Sequence, residues 1–257
     1  MTRSILLPAV ITVLFFSVAP SCAAQELTVA AAADARPALE EIASRFKAST
    51  GKHINLIYGS SGKFYQQIQS GAPFDLFFSA DVEYPKNLEA AGLTVPGTYY
   101  EYARGKIVLL VPATSTLDLK QGLKVLLDPQ VDKIAIADPG HAPYGRAAVA
   151  ALKTEGIYDK ISAKTVAGEN ISQAASFVLS GAAEVGIVAL SLALSPASRD
   201  QVRFVEIAAS DYPPIQQVCV VLRSSKQQQL AKEFEAYIRS GDAAATFKRY
   251  GFEVPAP

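Results

Sequence analysis

The sequence predicts an α/β chain built from two units of similar size. Three observations lead there. Short apolar runs alternate with helix-period segments along nearly the whole chain. The alternation breaks once, at a tyrosine-rich stretch near residue 100, and then begins again. No low-complexity linker or solenoid-type repeat interrupts it. The 24 basic and 24 acidic side chains give a formal charge of zero, which offers no general pull on nucleic acid or an anionic membrane. Half of the 257 residues are apolar, enough for real cores.

The first residues read as a leader. "MTRSILLPAVITVLFFSVAPSCAAQ" has Arg3 near the start, an apolar run from Ile5 to Val18, and the small residues "SCAA". That is the pattern of a secretory signal peptide covering residues 1–24, cut before Gln25. The apolar run is short for a membrane span. Cys22 also permits a lipoprotein reading, although "VAPS" lacks the leucine such a signal carries. An exported, soluble, periplasmic chain is expected. With Cys22 removed, Cys219 is the lone thiol; in "QVCVVL" it reads as a buried strand residue.

From Glu26 the elements follow in order. "LTVAAAA" is a strand, and "PALEEIASRFKAST" a helix with Leu39, Ile42 and Phe46 on one face and Gly51 as its stop. "HINLIY" is a strand, "KFYQQIQSG" a helix burying Phe64 and Ile68, and "FDLFFS" a strand. A helix from Val82 to Ala91 ends at Gly92. "GTYYEYARG" reads as a long connection, after which "GKIVLLVP" opens the second unit. There "KIAIAD", "KTVAG" and "EVGIVAL" alternate with helices from Gly145 to Thr154 and from Ser172 to Ser180, and "VRFVEIA" follows as a strand. "DYPPIQQVCVVL" leads into a last strand. Two helices remain, one with Leu230, Phe234 and Tyr237 in phase, one near "AATFKRYG". Those leftover helices suggest two crossings: lobe one is residues 25–105 and 212–257, lobe two residues 106–211.

In open parallel sheets a ligand sits beyond the carboxyl ends of the strands, where helices start. Four strand-to-helix junctions have unusual composition there: "AAAADARP", "YGSSGKF", "ADPGHAPYGRAA" and "AGENISQAA". Singly, each has an ordinary explanation. Asp34, Asn170 and Ser172 are good caps, Gly59-Ser60-Ser61 makes a turn, and Pro143 suits a helix start. Together they aim several helix N-termini, each with unpaired N–H groups and about half a positive charge, at one place. That is an anion site needing no lysine or arginine.

Enzyme motifs are absent. "GSSGK" has no glycine five residues before Gly62 and has Phe64 where a P-loop needs Ser or Thr. Neither serine sits in a G-x-S-x-G elbow. His53 and His141 lack a triad context, and no His, Cys, Asp and Glu cluster has zinc spacing.

"GSSGKFYQQIQSGAPFDLFFSAD", "DPGHAPYGRAAVAAL", "GAAEVGIVAL" and "FKRYGF" together resemble the periplasmic molybdate-binding proteins of ABC importers, over almost all of the mature chain. The resemblance implies a two-lobed type II periplasmic-binding-protein fold, each lobe a mainly parallel sheet flanked by helices, with the ligand in the cleft. It implies no catalysis, no cofactor and no direct metal ligand. The expected partners are molybdate or tungstate and the permease subunits in the inner membrane, with the chain a monomer and no nucleic acid bound. Ser61 is expected to give hydroxyl and amide to the anion, with Ser60 beside it, and Tyr144 and Ile171 to give amides. Two departures stand out. The family often has Ser, Thr or Asn at the first junction; here Ala33 and Asp34 stand there. Some relatives place a cleft tyrosine after the strand "GIVAL"; here Ala189 and Leu190 do. Sulfate or phosphate on the same fold, a sensor, or an enzyme are the alternative readings.

Asp34 is the point of conflict. A charge about 4 Å from a dianion, at an effective dielectric near 20, costs roughly 8 kcal/mol. That matches the whole binding energy of a micromolar ligand. The expectation is that Asp34 turns back to cap the helix beginning near Ala35, accepting from the Arg36 amide, while the amides of Ala33 and Asp34 face the ion. The rival is a protonated oxyanion whose proton Asp34 accepts.

Overall fold

The computed structural model describes residues 26–255; the expected leader, Cys22 and the expected cut before Gln25 lie outside them. The first sheet contains β1 (Glu26–Ala32), β2 (His53–Gly59), β3 (Leu76–Ser79), β4 (Tyr100–Gly105) and β10 (Ile215–Val221), in the order β2-β1-β3-β10-β4. The second contains β5 (Ile107–Pro112), β6 (Ile134–Ala137), β7 (Thr165–Gly168), β8 (Val185–Ala189) and β9 (Val202–Glu206), in the order β7-β6-β8-β5-β9. In both sheets the first three strands pair parallel and the fourth antiparallel to both neighbours. Four of five strands therefore share one direction. The odd strand in each is the one the chain enters after changing sheets: Gly105 is followed almost at once by β5, and β9 is followed by β10.

The helices are α1 (Arg36–Thr50), α2 (Ser61–Gln69), α3 (Glu83–Ala90), α4 (Pro143–Thr154), α5 (Tyr158–Ile161), α6 (Ile171–Leu179), α7 (Leu190–Ala193), α8 (Gln228–Ile238) and α9 (Gly241–Arg249). The helical period assigns α1 correctly: Leu39, Ile42 and Phe46 are buried, and Gly51 closes the helix in the left-handed region with its N–H on the Lys47 carbonyl. Phe64 and Ile68 anchor α2 in the same way. In α8 the large buried apolar residues are Leu230, Phe234 and Ile238; Tyr237 is half-buried and meets Phe46 edge-on at 5.4 Å.

Strand alternation divides the first lobe's core into two layers. Leu27, Val29, Phe78 and Cys219 face α1, α8 and α9, where Phe234 and Phe247 are fully buried. Ala30, Phe77, Val218 and Val220 face the other way, onto Phe64 and Leu88. Each fully buried phenylalanine contributes about 1.5–3 kcal/mol. Cys219 is the packed strand thiol expected, and burial pushes its pKa far up.

The stretch "GTYYEYARG" is not a plain connection. Its second half is β4, an edge strand hydrogen-bonded to β10. Glu101 and Arg104 pair on its outer side while Tyr102 is buried, a half-apolar pattern that blurs the strand signal. The 3-10 turns of Leu119–Leu127 and the single turn of α5 were not foreseen either. β1 stops at Ala32, one residue short of "LTVAAAA", because Ala33–Ala35 coil into a 3-10 turn.

Candidate oxyanion site

The lobes are closed on one another. The hydrophobic cluster of the second lobe runs on through Ala32, Ala33 and Ala80 of the first. Between them lies a small, tight cavity lined by Ala32, Ala33, Asp34, Gly59, Ser60, Ser61, Ala80, Ala142, Pro143, Tyr144, Asn170 and Ile171. All six expected site residues are in that wall: Ala33, Asp34, Ser60, Ser61, Tyr144 and Ile171. They come from the four junctions singled out by composition. Ala80, just after β3, adds a fifth that composition did not reveal.

Local structure explains the donors. Ser60 is the N-cap residue of α2 in extended conformation, and Ser61 is the first helical residue. Pro143 opens α4, which makes Tyr144 its second residue. Asn170 caps α6 through the Gln173 amide at 3.1 Å, so Ile171 is first in that helix. First-turn amides have no intrahelical partner. Among the described residues the amides of Ser61, Tyr144 and Ile171 find no other acceptor in the protein. The Ser61 hydroxyl accepts from the Ala80 amide at 2.9 Å, which leaves its own proton free to donate. No lysine or arginine lines the cavity.

Ser60 does something else as well. Its hydroxyl donates to the His141 carbonyl at 2.7 Å and lies 2.8 Å from His141 Nδ1, across the cleft. The Gly62 amide donates to the same carbonyl at 3.0 Å. A Cβ on Gly62 would stand 2.6 Å from that oxygen, so this close approach requires glycine. His141 is thus a lobe-to-lobe brace, with no metal-binding cluster around it among the described residues.

Asp34 does not cap α1. Neither the 3-10 turn nor α1 has a side-chain cap hydrogen bond. The carboxyl is fully buried. Its Oδ2 accepts from the Tyr144 hydroxyl at 2.9 Å and from the Gln217 side-chain amide. The Tyr102 hydroxyl donates to Gln217 Oε1 at 2.6 Å, fixing which end of that amide faces Asp34. Ser191 donates to the Asp34 carbonyl at 2.7 Å. Pro37, the second residue of α1, has no N–H to offer a cap, and the carboxyl turns instead to the Gln217 and Tyr144 donors inside the interface. Burial pushes the Asp34 carboxyl up to about 6, against the lowering pull of the Gln217 and Tyr144 hydrogen bonds and the nearby amides of Asp34 and Ala35. Gln217 was missed in the sequence, where it sits beside Gln216 in a mostly apolar strand. A polar residue inside "IQQVCVV" was the available signal.

A model of the bacterial extracellular solute-binding proteins matches residues 27–253. The chain belongs to that family. It is 38% identical over 234 residues to the molybdate-binding protein ModA of Azotobacter vinelandii, covering 90% of this chain and 92% of that one. It is 34% identical over 239 residues to ModA of Rhodobacter capsulatus, with 93% and 92% covered. The solved structure of the periplasmic molybdate-binding protein of Azotobacter vinelandii matches with a TM-score of 0.85 at 36% identity, covering 90% of this chain and 100% of that one. Ala189 and Leu190, where some relatives would place a tyrosine, are not in the cavity wall. Among the described residues no helix is long and apolar enough to cross a membrane.

Proposed function

We propose that this chain captures molybdate outside the cytoplasm and delivers it to the permease of an ABC importer. The observation that carries this reading is the set of three acceptor-less helix-start amides, with the free Ser61 proton, in one cavity without lysine or arginine. The names of the relatives support molybdate as the ion. Ser61 donates through hydroxyl and amide, Tyr144 and Ile171 through amides. Ala33, Asp34 and Ser60 complete the wall. All contacts go to oxygen, none to the metal. Tungstate, nearly the same in size and shape, binds the same way. The chain acts as a periplasmic monomer without cofactor or turnover, and opens and closes as two lobes, residues 25–105 with 212–257 and residues 106–211.

The test is calorimetry of refolded, ligand-stripped protein with molybdate, tungstate, sulfate and phosphate. Tight one-to-one binding of the first two is expected, with sulfate far weaker because its shorter bonds leave fixed donors out of reach. Equal affinity for sulfate would end the size argument. A second reading draws on the unpartnered Oδ1 of Asp34. That oxygen could accept a proton carried by hydrogen phosphate. Tight phosphate binding, lost in Asp34→Asn, would favour it over molybdate.

A further inference from the structure

Among the described residues a single buried side-chain polar atom lacks a partner: Asp34 Oδ1. Native proteins leave few such atoms, and a bound water or ion is a standard partner for one. This one belongs to a residue of the cavity wall. The other carboxyl oxygen is fully employed. Oδ2 takes two donors, the Tyr144 hydroxyl and the Gln217 amide. Gln217 is itself locked by Tyr102, and the Asp34 backbone by Ser191. These bonds hold the carboxyl in place, and Oδ1 is the oxygen left without a partner to carry a proton.

We propose that Asp34 takes up one proton on Oδ1 when the oxyanion binds and donates it to the ion, so that capture is coupled to proton uptake. This rests on the oxyanion reading above. An ionised Oδ1 beside a dianion is repelled; a protonated one becomes the side-chain donor that the first junction otherwise lacks. Burial favours the neutral form, against the pull of the Gln217 and Tyr144 hydrogen bonds and of the Asp34 and Ala35 amides, and no formal charge faces the carboxyl. Tyr102 faces Gln217 from β4, Tyr144 faces Asp34 from α4, Gln217 comes from β10 and Ser191 from α7, and all are uncharged. Burial pushes both tyrosines well up, so they stay protonated. No cation is among the causes that move the Asp34 carboxyl, and in the closed form burial holds it near 6.

The proton balance is simple. Free molybdate is a dianion at neutral pH, so the proton comes from buffer and ends shared between Oδ1 and an oxyanion oxygen. No bond to the metal changes. Above the ligand-free pKa, each unit of pH then costs tenfold in affinity. Titrating wild-type protein with sodium molybdate at about pH 7.5, in two buffers of different ionisation enthalpy, counts the protons. About one proton taken up per ion is expected, with Kd rising tenfold per pH unit above 7. Asp34→Asn keeps an acceptor for Tyr144 and Gln217 and offers an N–H on the other side; it should show neither uptake nor slope. Tight molybdate binding by wild type without proton uptake overturns the coupling and leaves the functional reading standing. No molybdate binding at any pH removes both. Tight phosphate binding without uptake, abolished in Asp34→Asn, means that the ligand brings the proton, and overturns the proposal as well.

Discussion

Two of the contact sets that close the cleft have opposite character. At its back, Asp34, Tyr144, Gln217 and Tyr102 form a dry chain of hydrogen bonds, every side chain buried. At its rim, Lys63 pairs with Glu169 at 2.7 Å and Arg146 with Asp81 at 2.6 Å, the lysine and its glutamate well exposed. Both sets join the lobes, but water decides their worth. An exposed ion pair gains little over its hydrated parts. A buried hydrogen bond left without its partner loses the whole desolvation cost. Closure should therefore be governed by the back wall and merely guided by the rim.

The sharpest way to break that view is through pH. Asp34 is raised in the folded chain, from an ordinary 3.8 to about 6. A raised carboxyl binds its proton more tightly folded than unfolded. Its contribution is thus present below pH about 4 and lost as pH rises through about 6. Two pK units correspond to about 3 kcal/mol. Wild type should therefore lose up to about that much stability, relative to Asp34→Asn, between pH 4 and pH 7 without ligand. Urea unfolding of both proteins at the two pH values measures it. Parallel pH profiles would mean that the back wall is wet and the comparison false.

Ser61→Ala comes next. It removes the one side-chain hydroxyl whose proton is free in the cavity and strands the Ala80 amide. A loss of about 1.5–3 kcal/mol in molybdate binding is expected, the range for a hydrogen bond to a charged partner. Unchanged affinity would reduce "GSSG" to a turn and cap. Tyr144→Phe should cost less, about 0.5–1.5 kcal/mol, since Gln217 remains on Oδ2 and the Tyr144 amide is untouched. That figure is read from the ligand-induced shift in melting temperature as well as from Kd. A larger loss would show that the hydroxyl network, more than the amides, holds the closed form.

Composition revealed the junctions and hid the network. Helix periods and glycine stops located α1 and α2, and small residues at strand ends marked four of the five cavity walls, because those signals are local. Gln217 and Tyr102 lie 183 and 68 positions beyond Asp34 in the chain. Nothing adjacent to either says that β10 runs backwards between β3 and β4 and so delivers an amide to the first junction. The cap expected of Asp34 rested on a local rule. It was overruled by partners that only the tertiary fold supplies. β4 escaped for a related reason: an edge strand with charges outside and one buried tyrosine has no clear period of its own.

The rim gives the smallest effect and the finest test. Lys63 and Glu169 meet across the cleft mouth, and the lysine holds the Glu169 carboxyl below its usual range. Their side chains are 41% and 57% exposed, so each is well hydrated when the lobes part. Lys63→Ala should leave molybdate affinity within a few-fold of wild type. Raising the salt to about 1 M, where the screening length is about 3 Å, should do no more to the wild-type protein. What salt should change is the association rate, if the lysine helps draw a dianion to the mouth. Stopped-flow rates and equilibrium Kd, measured together across salt, separate the two. A large loss of affinity in Lys63→Ala, matched by the same loss in salt, would mean that exposed charge holds the lobes shut. The back wall would then be a passive consequence of closure.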